Sequence, residues 1–210
     1  MNKLLFVIAM LLVSCTSAVK PTPTPQVITV YASPVTQPWL LDAYQCAQEH
    51  RLILSNVNDP AQAEIAIRMG EPANLKTLAY QIGREDMLIM AHSESPLQEL
   101  TLEQTRALFS NPTTQEQIWL YPPADDIQQV FTREVMQGAT ITSRARLALS
   151  PQQMSDALKT DKNSIGILPA GWKTETLREL FSLADVPVLV LTKSEPQGAL
   201  KELLGCLQKK

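Results

Sequence analysis

The chain has 210 residues, with 18 basic and 21 acidic side chains and a formal net charge of −3 at pH 7. This length is enough for one two-lobed unit or for two small domains. The slight acidic excess argues against the basic stripe that nucleic acids require, so we expect no nucleic-acid partner.

The chain begins with a short apolar segment. Lys3 precedes ten apolar residues, 4–13, which are followed by Ser14 and Cys15. Ten residues are too few to span a bilayer and are typical of a signal peptide, here residues 1–14. The Leu-Val-Ser-Cys segment that ends at Cys15 resembles the lipobox of bacterial lipoproteins. We therefore expect cleavage before Cys15 and lipidation of that cysteine, for example with palmitate; a coincidental cysteine after an ordinary signal peptide is the alternative.

A tether is predicted at residues 15–26. It starts at the lipidated cysteine, has no apolar periodicity, and contains three prolines at alternate positions, Pro21, Pro23 and Pro25. Such a sequence favours an extended backbone, which could hold the folded body roughly 30 Å from the lipid surface. We therefore expect an extracytoplasmic protein anchored to the bacterial cell membrane, or to the outer membrane where two membranes are present.

From residue 27 onward, short apolar runs alternate with helical patterns, which is typical of an α/β protein with largely parallel sheets. The strand candidates in chain order are 27–31, 51–55, 64–68, 87–91, 118–121, 145–149, 165–168 and 186–191. No apolar run of eighteen or more residues occurs in this body, so we expect it to lie outside the membrane.

Helices are predicted between these strands from apolar stripes and capping patterns. The first stripe is Leu40, Ala43, Tyr44 and Ala47; the later ones are Leu177, Leu180, Phe181 and Ala184, and Leu200, Leu203, Leu204 and Leu207. Thr101 with Gln104, and Ser150 with Gln153, form capping-box patterns that mark two further helix starts.

Three segments together resemble the phosphate-type substrate-binding proteins of ABC transporters, which have the type II periplasmic binding protein fold. They are 28–38, with Ser33 and Thr36 in a polar loop after a strand; 86–110, a strand, a crossover and a Leu-Thr-x-x-Gln helix; and 163–167, which is similar to a Gly-containing strand of the second lobe. Their order and spacing agree over nearly the whole body.

The resemblance implies two lobes with a ligand cleft between them. Residues 27–91 and 184–210 would form the first lobe, and 92–183 the second, with two crossover strands as the hinge. The cleft residues that it implies are Tyr31, Ser33, Thr36, Gln37, Arg68, Tyr121, Asp125 and Gln128.

The sequence departs from that family where the anion would bind. Asp125 and Asp126 stand where the family has an Arg followed by a Ser-Gly-Thr turn, and either carboxylate could cap the following helix in place of an oxyanion. The loop 56–63 is too short for the helix that the family places there. Arg68 either binds a ligand carboxylate or forms a salt bridge to one of these two aspartates.

Two cysteines remain in the body, Cys46 and Cys206. In an oxidising compartment they could form a disulfide between the first and last helices, or stay as separate buried thiols. Cys46 and His50 also have the spacing of two metal ligands on a helix, although a disulfide with a solvated His50 explains them more simply. The only other histidine is His92, and neither lies in a nucleophile-elbow context. We therefore expect no enzyme, no cofactor and no metal site.

The sequence thus predicts a monomeric, lipid-anchored solute-binding protein that delivers a small molecule to an ABC permease, with the phosphate-binding motif lost. The alternative is a degenerate binding-protein-like module that serves as a sensor or interaction partner at the envelope without a transport ligand.

Overall fold

The computed structural model describes residues 26–210. The predicted signal peptide, the lipidation site at Cys15 and all of the tether except Gln26 lie outside the described residues. The strands are β1 Gln26–Ala32, β2 Leu52–Asn56, β3 Ile65–Met69, β4 Leu78–His92, β5 Gln117–Leu120, β6 Arg146–Leu147, β7 Ser164–Pro169 and β8 Leu177–Thr192. The helices are α1 Trp39–Glu49, α2 Leu102–Ser110, α3 Asp126–Val130, α4 Pro151–Thr160 and α5 Gly198–Leu207.

All eight strands belong to one mixed sheet with the order β2-β1-β3-β8-β4-β7-β5-β6. β1 pairs in parallel with β2 and β3, and β5 pairs in parallel with β6 and β7. The central neighbours β3 and β8, β8 and β4, and β4 and β7 are antiparallel. The predicted α/β class with a mixed sheet and flanking helices is confirmed.

Two hydrophobic cores lie along this sheet. The first, which defines the first lobe, gathers β1, β2, β3, α1 and α5 around residues such as Ile28, Ile65 and Leu203. The second, which defines the second lobe, gathers α2, α3, α4, β5 and β7 around residues such as Phe109 and Phe131. The rings of Phe109 and Phe131 are tilted against each other with centroids 4.7 Å apart.

The long strands β4 and β8 run side by side through both cores. On β4 the core changes between Ile82 and Met87, and on β8 it changes between Val186 and Val188. The register between these strands shifts twice near that point, as expected for strands that bend between two packed bodies. The predicted lobe boundaries at 91/92 and 183/184 stay predictions.

The predicted helix starts are present at α2 and α4. The Thr101 hydroxyl accepts from the backbone of Gln104, whose side chain accepts from the Thr101 amide, so both halves of the capping box form. At α4 the Ser150 hydroxyl accepts from the Gln153 amide, while the Gln153 side chain accepts from Leu149. Within residues 26–210, no helix combines the length and the apolarity needed to cross a bilayer.

The helix predicted from Leu177, Leu180, Phe181 and Ala184 is wrong, because these residues lie in β8. A bulge opposite Ile89 and Met90 inserts an extra residue, Leu180, into β8. The insertion shifts the side-chain alternation, so Leu177 and Leu180 are both buried although they lie three residues apart. The bulge therefore gives Leu177 and Leu180 the spacing of a helix although they lie in a strand. The strand predicted at 145–149 is also shorter than expected, because only Arg146 and Leu147 pair.

A disulfide joins Cys46 on α1 to Cys206 on α5, with the Cα atoms 5.8 Å apart and a sequence separation of 160. The sequence had left the choice between this bond and two free thiols open. Cys46 is fully buried in the first core, where α1 and α5 pack together. The bond therefore ties the first helix to the last inside one lobe.

Candidate functional site

A cavity of about 170 Å³ lies between the lobes, at the ends of β1 and β3 and before α3. Its polar lining comes from the first lobe through Tyr31, Ser33 and Arg68, and from the second through Asp125 and Asp126. Four of these five belong to the cleft set that the sequence predicted; Asp126 is the addition. The carboxyl ends of β1 and β3 converge here because the strands are parallel neighbours in the sheet.

Asp126 connects the two lobes. Its Oδ2 accepts hydrogen bonds from the Ser33 hydroxyl at 2.7 Å and from the Met69 amide at 2.6 Å, both in the first lobe. Its Oδ1 accepts from the Ile127 amide at 2.9 Å, within the second lobe. The residue is only 5% exposed. A single buried carboxylate therefore receives donors from both sides of the cleft.

The Ser33 hydroxyl is itself held in place by Thr36. The two hydroxyl oxygens are 3.0 Å apart, and the Thr36 hydroxyl also lies 3.0 Å from the Ile67 carbonyl oxygen. When Ser33 donates its one hydroxyl proton to Asp126, the one proton of Thr36 goes to Ser33 Oγ or to a backbone carbonyl such as that of Ile67. Both residues are buried. Thr36 therefore lies beneath the cleft and positions Ser33.

Burial controls the charge state of the two aspartates. It raises the pKa of Asp126, and the hydrogen bonds from Ser33, Met69 and Ile127, with the charge of Arg68, oppose that rise. Burial and the neighbouring Asp126 charge also raise the pKa of Asp125. Asp125 occupies the position before α3, but its side chain makes no cap hydrogen bond. Of the two aspartates, it is Asp126 whose carboxylate accepts a backbone hydrogen bond at the start of α3.

Arg68 forms no salt bridge with Asp125 or Asp126 within the described residues, so that prediction is wrong. Its Nε donates to the Gly70 carbonyl at 3.0 Å and its Nη2 donates to the side-chain carbonyl of Gln129 at 3.1 Å. These bonds direct the guanidinium along the line of contact between the two lobes, where Gly70 and Gln129 lie, which we call the seam. Burial lowers the pKa of Arg68, and the nearby Asp126 charge opposes this effect.

The segment after β3 lies against α3 along the same seam. Gly70 has φ +72°, and a Cβ on it would overlap Cγ2 of Val130. Arg133, in the π-helical segment that continues α3, donates to the Glu71 carbonyl at 2.9 Å. Val35 and Met69 of the first lobe are packed into the second core. The seam is therefore closed by apolar packing as well as by hydrogen bonds.

Tyr121 and Gln128 do not line this cavity, although the sequence placed them in the cleft. The Gln128 side chain accepts from the Tyr121 amide and its Nε2 lies 3.3 Å from the Thr132 hydroxyl. Both residues border a separate, mostly apolar cavity of about 450 Å³ on the flank of the second lobe. The Tyr121 hydroxyl is buried and has no hydrogen-bond partner within residues 26–210. Burial raises the pKa of Tyr121.

Two other predicted features have local roles. Gln37 donates to the Ala32 carbonyl at 3.1 Å and thereby closes the turn after β1. The loop between β2 and β3 contains only turns, as its length predicted, and Pro60 from that loop lines the cavity. Glu49 and His50 lie near Cys206, but the disulfide removes the thiolate that a metal would need.

The position of Asp126 in the cleft disfavours the binding of a free oxyanion. A free oxyanion placed beside Asp126 would meet a carboxylate that already occupies the Ser33 and Met69 donors, and would be repelled by its charge. The sequence identified this aspartate pair but missed its bond to Ser33. The signal that could have revealed it is Gly70 directly after a strand, because a glycine there permits close approach of a second element.

No family model and no curated protein matches the sequence. The fold is similar to that of a phosphate ABC transporter substrate-binding protein with bound phosphate from Clostridium perfringens, with a TM-score of 0.77 and 11% identity over 87% of this chain and 93% of that one. It is also similar to an ABC-type phosphate transport receptor from Vibrio cholerae, with a TM-score of 0.65 and 13% identity over 87% and 93% of the two chains.

A third similar structure is a regulatory domain. The domain of MetR, a LysR family regulator from N. meningitidis, has a TM-score of 0.66 and 13% identity over 88% of this chain and 93% of that one. Such likenesses show the fold alone, which is the type II periplasmic binding protein fold. Solute-binding proteins and regulator domains share it.

Proposed function

We propose that the protein is an extracytoplasmic binding protein, held at a membrane by a lipid on Cys15, that captures a small polar solute between its lobes and passes it to an ABC permease. Residues 1–15 support the location through their resemblance to a lipoprotein signal. The two-lobed fold supports solute capture, since an interlobe cavity can enclose a ligand.

One observation carries the choice of solute. Arg68 and Asp125 both line the 170 Å³ cavity, and they are not paired with each other. Two N–H groups of Arg68 are engaged and three remain to donate. The Asp125 carboxylate has no hydrogen-bond partner within residues 26–210. A solute that offers an acceptor to Arg68 and a cationic donor to Asp125 would satisfy both groups.

The size and charge of the cavity narrow the class further. A volume of 170 Å³ is below the range of about 300 to 1,000 Å³ that holds drug-sized ligands, so the solute has few heavy atoms. Two aspartates face one arginine in the lining, which disfavours an anion and tolerates a zwitterion or a neutral molecule. We propose a small zwitterion of the amino-acid type.

A second candidate function follows from Asp126. Because its carboxylate joins Ser33 and Met69 to the second lobe, the lobes are held together by protein groups alone at this point. A binding protein that signals occupancy by closing would lose that signal. This observation favours the alternative of an envelope sensor or interaction module that uses the closed form as a fixed shape.

The two candidates are separated by thermal unfolding of the full chain in detergent with millimolar glycine, alanine, glycine betaine, glucose, calcium or phosphate. A zwitterion at one hundred times its Kd would stabilise the protein by about 2.7 kcal/mol, which is a shift of several degrees in Tm. We expect that shift with a zwitterion, and none with phosphate. Indifference to every class would support the sensor or interaction module.

Matched variants locate the effect. Arg68→Gln and Asp125→Asn should each abolish the shift, because each removes one of the two unpaired charges in the cavity. Arg84→Gln and Asp185→Asn alter a charge pair with both side chains exposed, 3.3 Å apart, and should leave the shift unchanged. A micromolar affinity for phosphate would contradict the proposed role of the aspartates.

A further inference from the structure

The backbone amide of Met69 donates its hydrogen bond to a side chain outside the β-sheet. Met69 is the last residue of β3 and its side chain is 1% exposed. A buried backbone N–H needs an acceptor, and the strand ends here. The acceptor is Asp126 Oδ2, at 2.6 Å, from an element 57 residues further along the chain.

The Ser33 hydroxyl is a second donor prepared on the first lobe. Its backbone amide donates to the Ile67 carbonyl at 3.1 Å, which fixes the turn after β1 against β3. The hydroxyl donates to Asp126 Oδ2 at 2.7 Å, and its oxygen lies 3.0 Å from the Thr36 hydroxyl oxygen. Ser33 and Met69 therefore direct two neutral donors at one point without help from the second lobe.

Among residues 26–210, no cationic side chain contacts the Asp126 carboxylate directly. Arg68 acts on Asp126 through its charge but donates its hydrogen bonds to Gly70 and Gln129. A buried carboxylate without a contacting cation is held by hydrogen bonds, and here two of three come from the opposite lobe. The Ser33 hydroxyl and the Met69 amide of the first lobe thus form a donor pair for one carboxylate oxygen, whether of a side chain or of a free carboxylate.

We propose that Asp126 is an internal ligand: its carboxylate fills an anion site that Ser33 and Met69 build on the first lobe, and so ties the two lobes together. This goes beyond the proposed solute capture, and it holds whatever molecule enters the neighbouring cavity. The class that the emptied site would take is a small monocarboxylate, since acetate reproduces the aspartate side chain from Cβ outward.

The decisive variant is Asp126→Gly in the full chain, purified in detergent. Without the carboxylate the Met69 amide loses its acceptor, and its hydrogen exchange should accelerate about tenfold or more, the factor that corresponds to the loss of one hydrogen bond to a charged group. Millimolar acetate should restore the slow exchange and raise Tm, with saturation. Sodium chloride at equal ionic strength should do neither.

Asp125→Gly is the matched control, because it removes the adjacent carboxylate, which makes no hydrogen bond across the seam. Met69 exchange in that variant and in the unaltered protein should not respond to acetate. A response in either would overturn the proposal, as would Asp126→Gly protein whose Met69 amide stays protected or is not restored by acetate.

Ser33→Ala tests the same site with the carboxylate kept, and it decides the matter if Asp126→Gly does not fold. Met69 exchange should accelerate severalfold, because the carboxylate loses one of its two donors in the first lobe, and acetate should not reverse the change. Unaltered Met69 exchange in Ser33→Ala would overturn the proposal. A failure of every zwitterion to bind the unaltered protein would instead affect solute capture alone.

Discussion

Gly70 and Val130 are in direct contact across the seam between the lobes, with no room for a Cβ on the glycine. The contact brings the end of β3 against α3, and it is this approach that places the Met69 amide within 2.6 Å of Asp126. Close backbone approach and the buried carboxylate bond therefore depend on each other.

Gly70→Ala should weaken the seam. The new methyl group would overlap Val130, and the backbone at φ +72° adds strain of about 1 kcal/mol for a residue with a Cβ. We expect a loss of more than about 2 kcal/mol in the free energy of unfolding, measured by urea titration, since overpacking costs about 1 to 3 kcal/mol in addition.

Gly138→Ala separates the two contributions. Gly138 has φ +89° and nothing within 4 Å of its Cβ position, so this substitution brings backbone strain without a clash. It should cost about 1 kcal/mol. Equal losses at both glycines would show that the seam yields to the extra methyl group.

The stability of the protein should depend on pH through Asp126. Burial raises the pKa of Asp126 in the folded protein above that in the unfolded chain. The folded state therefore holds the proton more strongly, and the stability from this group is complete below the unfolded-chain pKa of about 3.9 and is lost as pH rises through the folded-state pKa. The unfolding free energy should fall with pH in that window, by at most about 1.4 kcal/mol per pH unit.

Asp126→Asn should have a shallower slope, because burial also raises the pKa of Asp125 and that contribution remains. The comparison is a series of urea titrations from pH 4 to pH 7, in which the difference between the two proteins measures Asp126 together with its effect on Asp125. Asp156→Asn removes an exposed carboxylate from α4 and controls for net charge. A slope as steep in Asp126→Asn as in the unaltered protein would assign the effect to other groups.

Reduction of the disulfide should destabilise the first lobe. Because Cys46 and Cys206 are 160 residues apart, the chain-entropy model gives a contribution of about 5 kcal/mol. Urea titration with and without a phosphine reductant measures it, and the Cys46→Ser, Cys206→Ser double variant should match the reduced protein. Coincident curves with and without reductant would contradict the expected contribution.

Tyr121→Phe should leave the protein as stable or make it more stable. The Tyr121 hydroxyl is buried without a partner within residues 26–210, so its removal ends an uncompensated desolvation of about 1 to 3 kcal/mol. Tyr80→Phe is the control, because the Tyr80 hydroxyl donates to Glu195 at 3.2 Å on an exposed surface. A marked loss of stability in Tyr121→Phe would indicate a partner for that hydroxyl, such as an ordered water molecule.

Local patterns in the sequence were sufficient for most of the fold. The helix starts at Thr101 and Ser150 depend on residues three positions apart, and the apolar stripe of α5 depends on its own spacing. The sequence patterns that predict these helices lie within one or two helical turns. The order of the segments then indicated the two-lobed arrangement.

The remainder depends on contacts between distant residues. The stripe of Leu177 and Leu180 has helical spacing, and only pairing with β4 and the bulge opposite Ile89 make it a strand. In the site, the sequence placed Asp126 beside the cleft but could not show that Ser33, 93 residues earlier, would bind it. For Arg68 the sequence offered Asp125 and Asp126 as partners, but its guanidinium donates to the side-chain amide of Gln129.

The disulfide also makes a covalent ring of most of the body. The ring runs from Cys46 through β2, both long strands and the whole second lobe, and closes at Cys206. A protease that cuts once at an exposed loop inside this span, such as the turns between β2 and β3, leaves both pieces attached to each other. The protein could thus be nicked once in this loop without shedding a lobe.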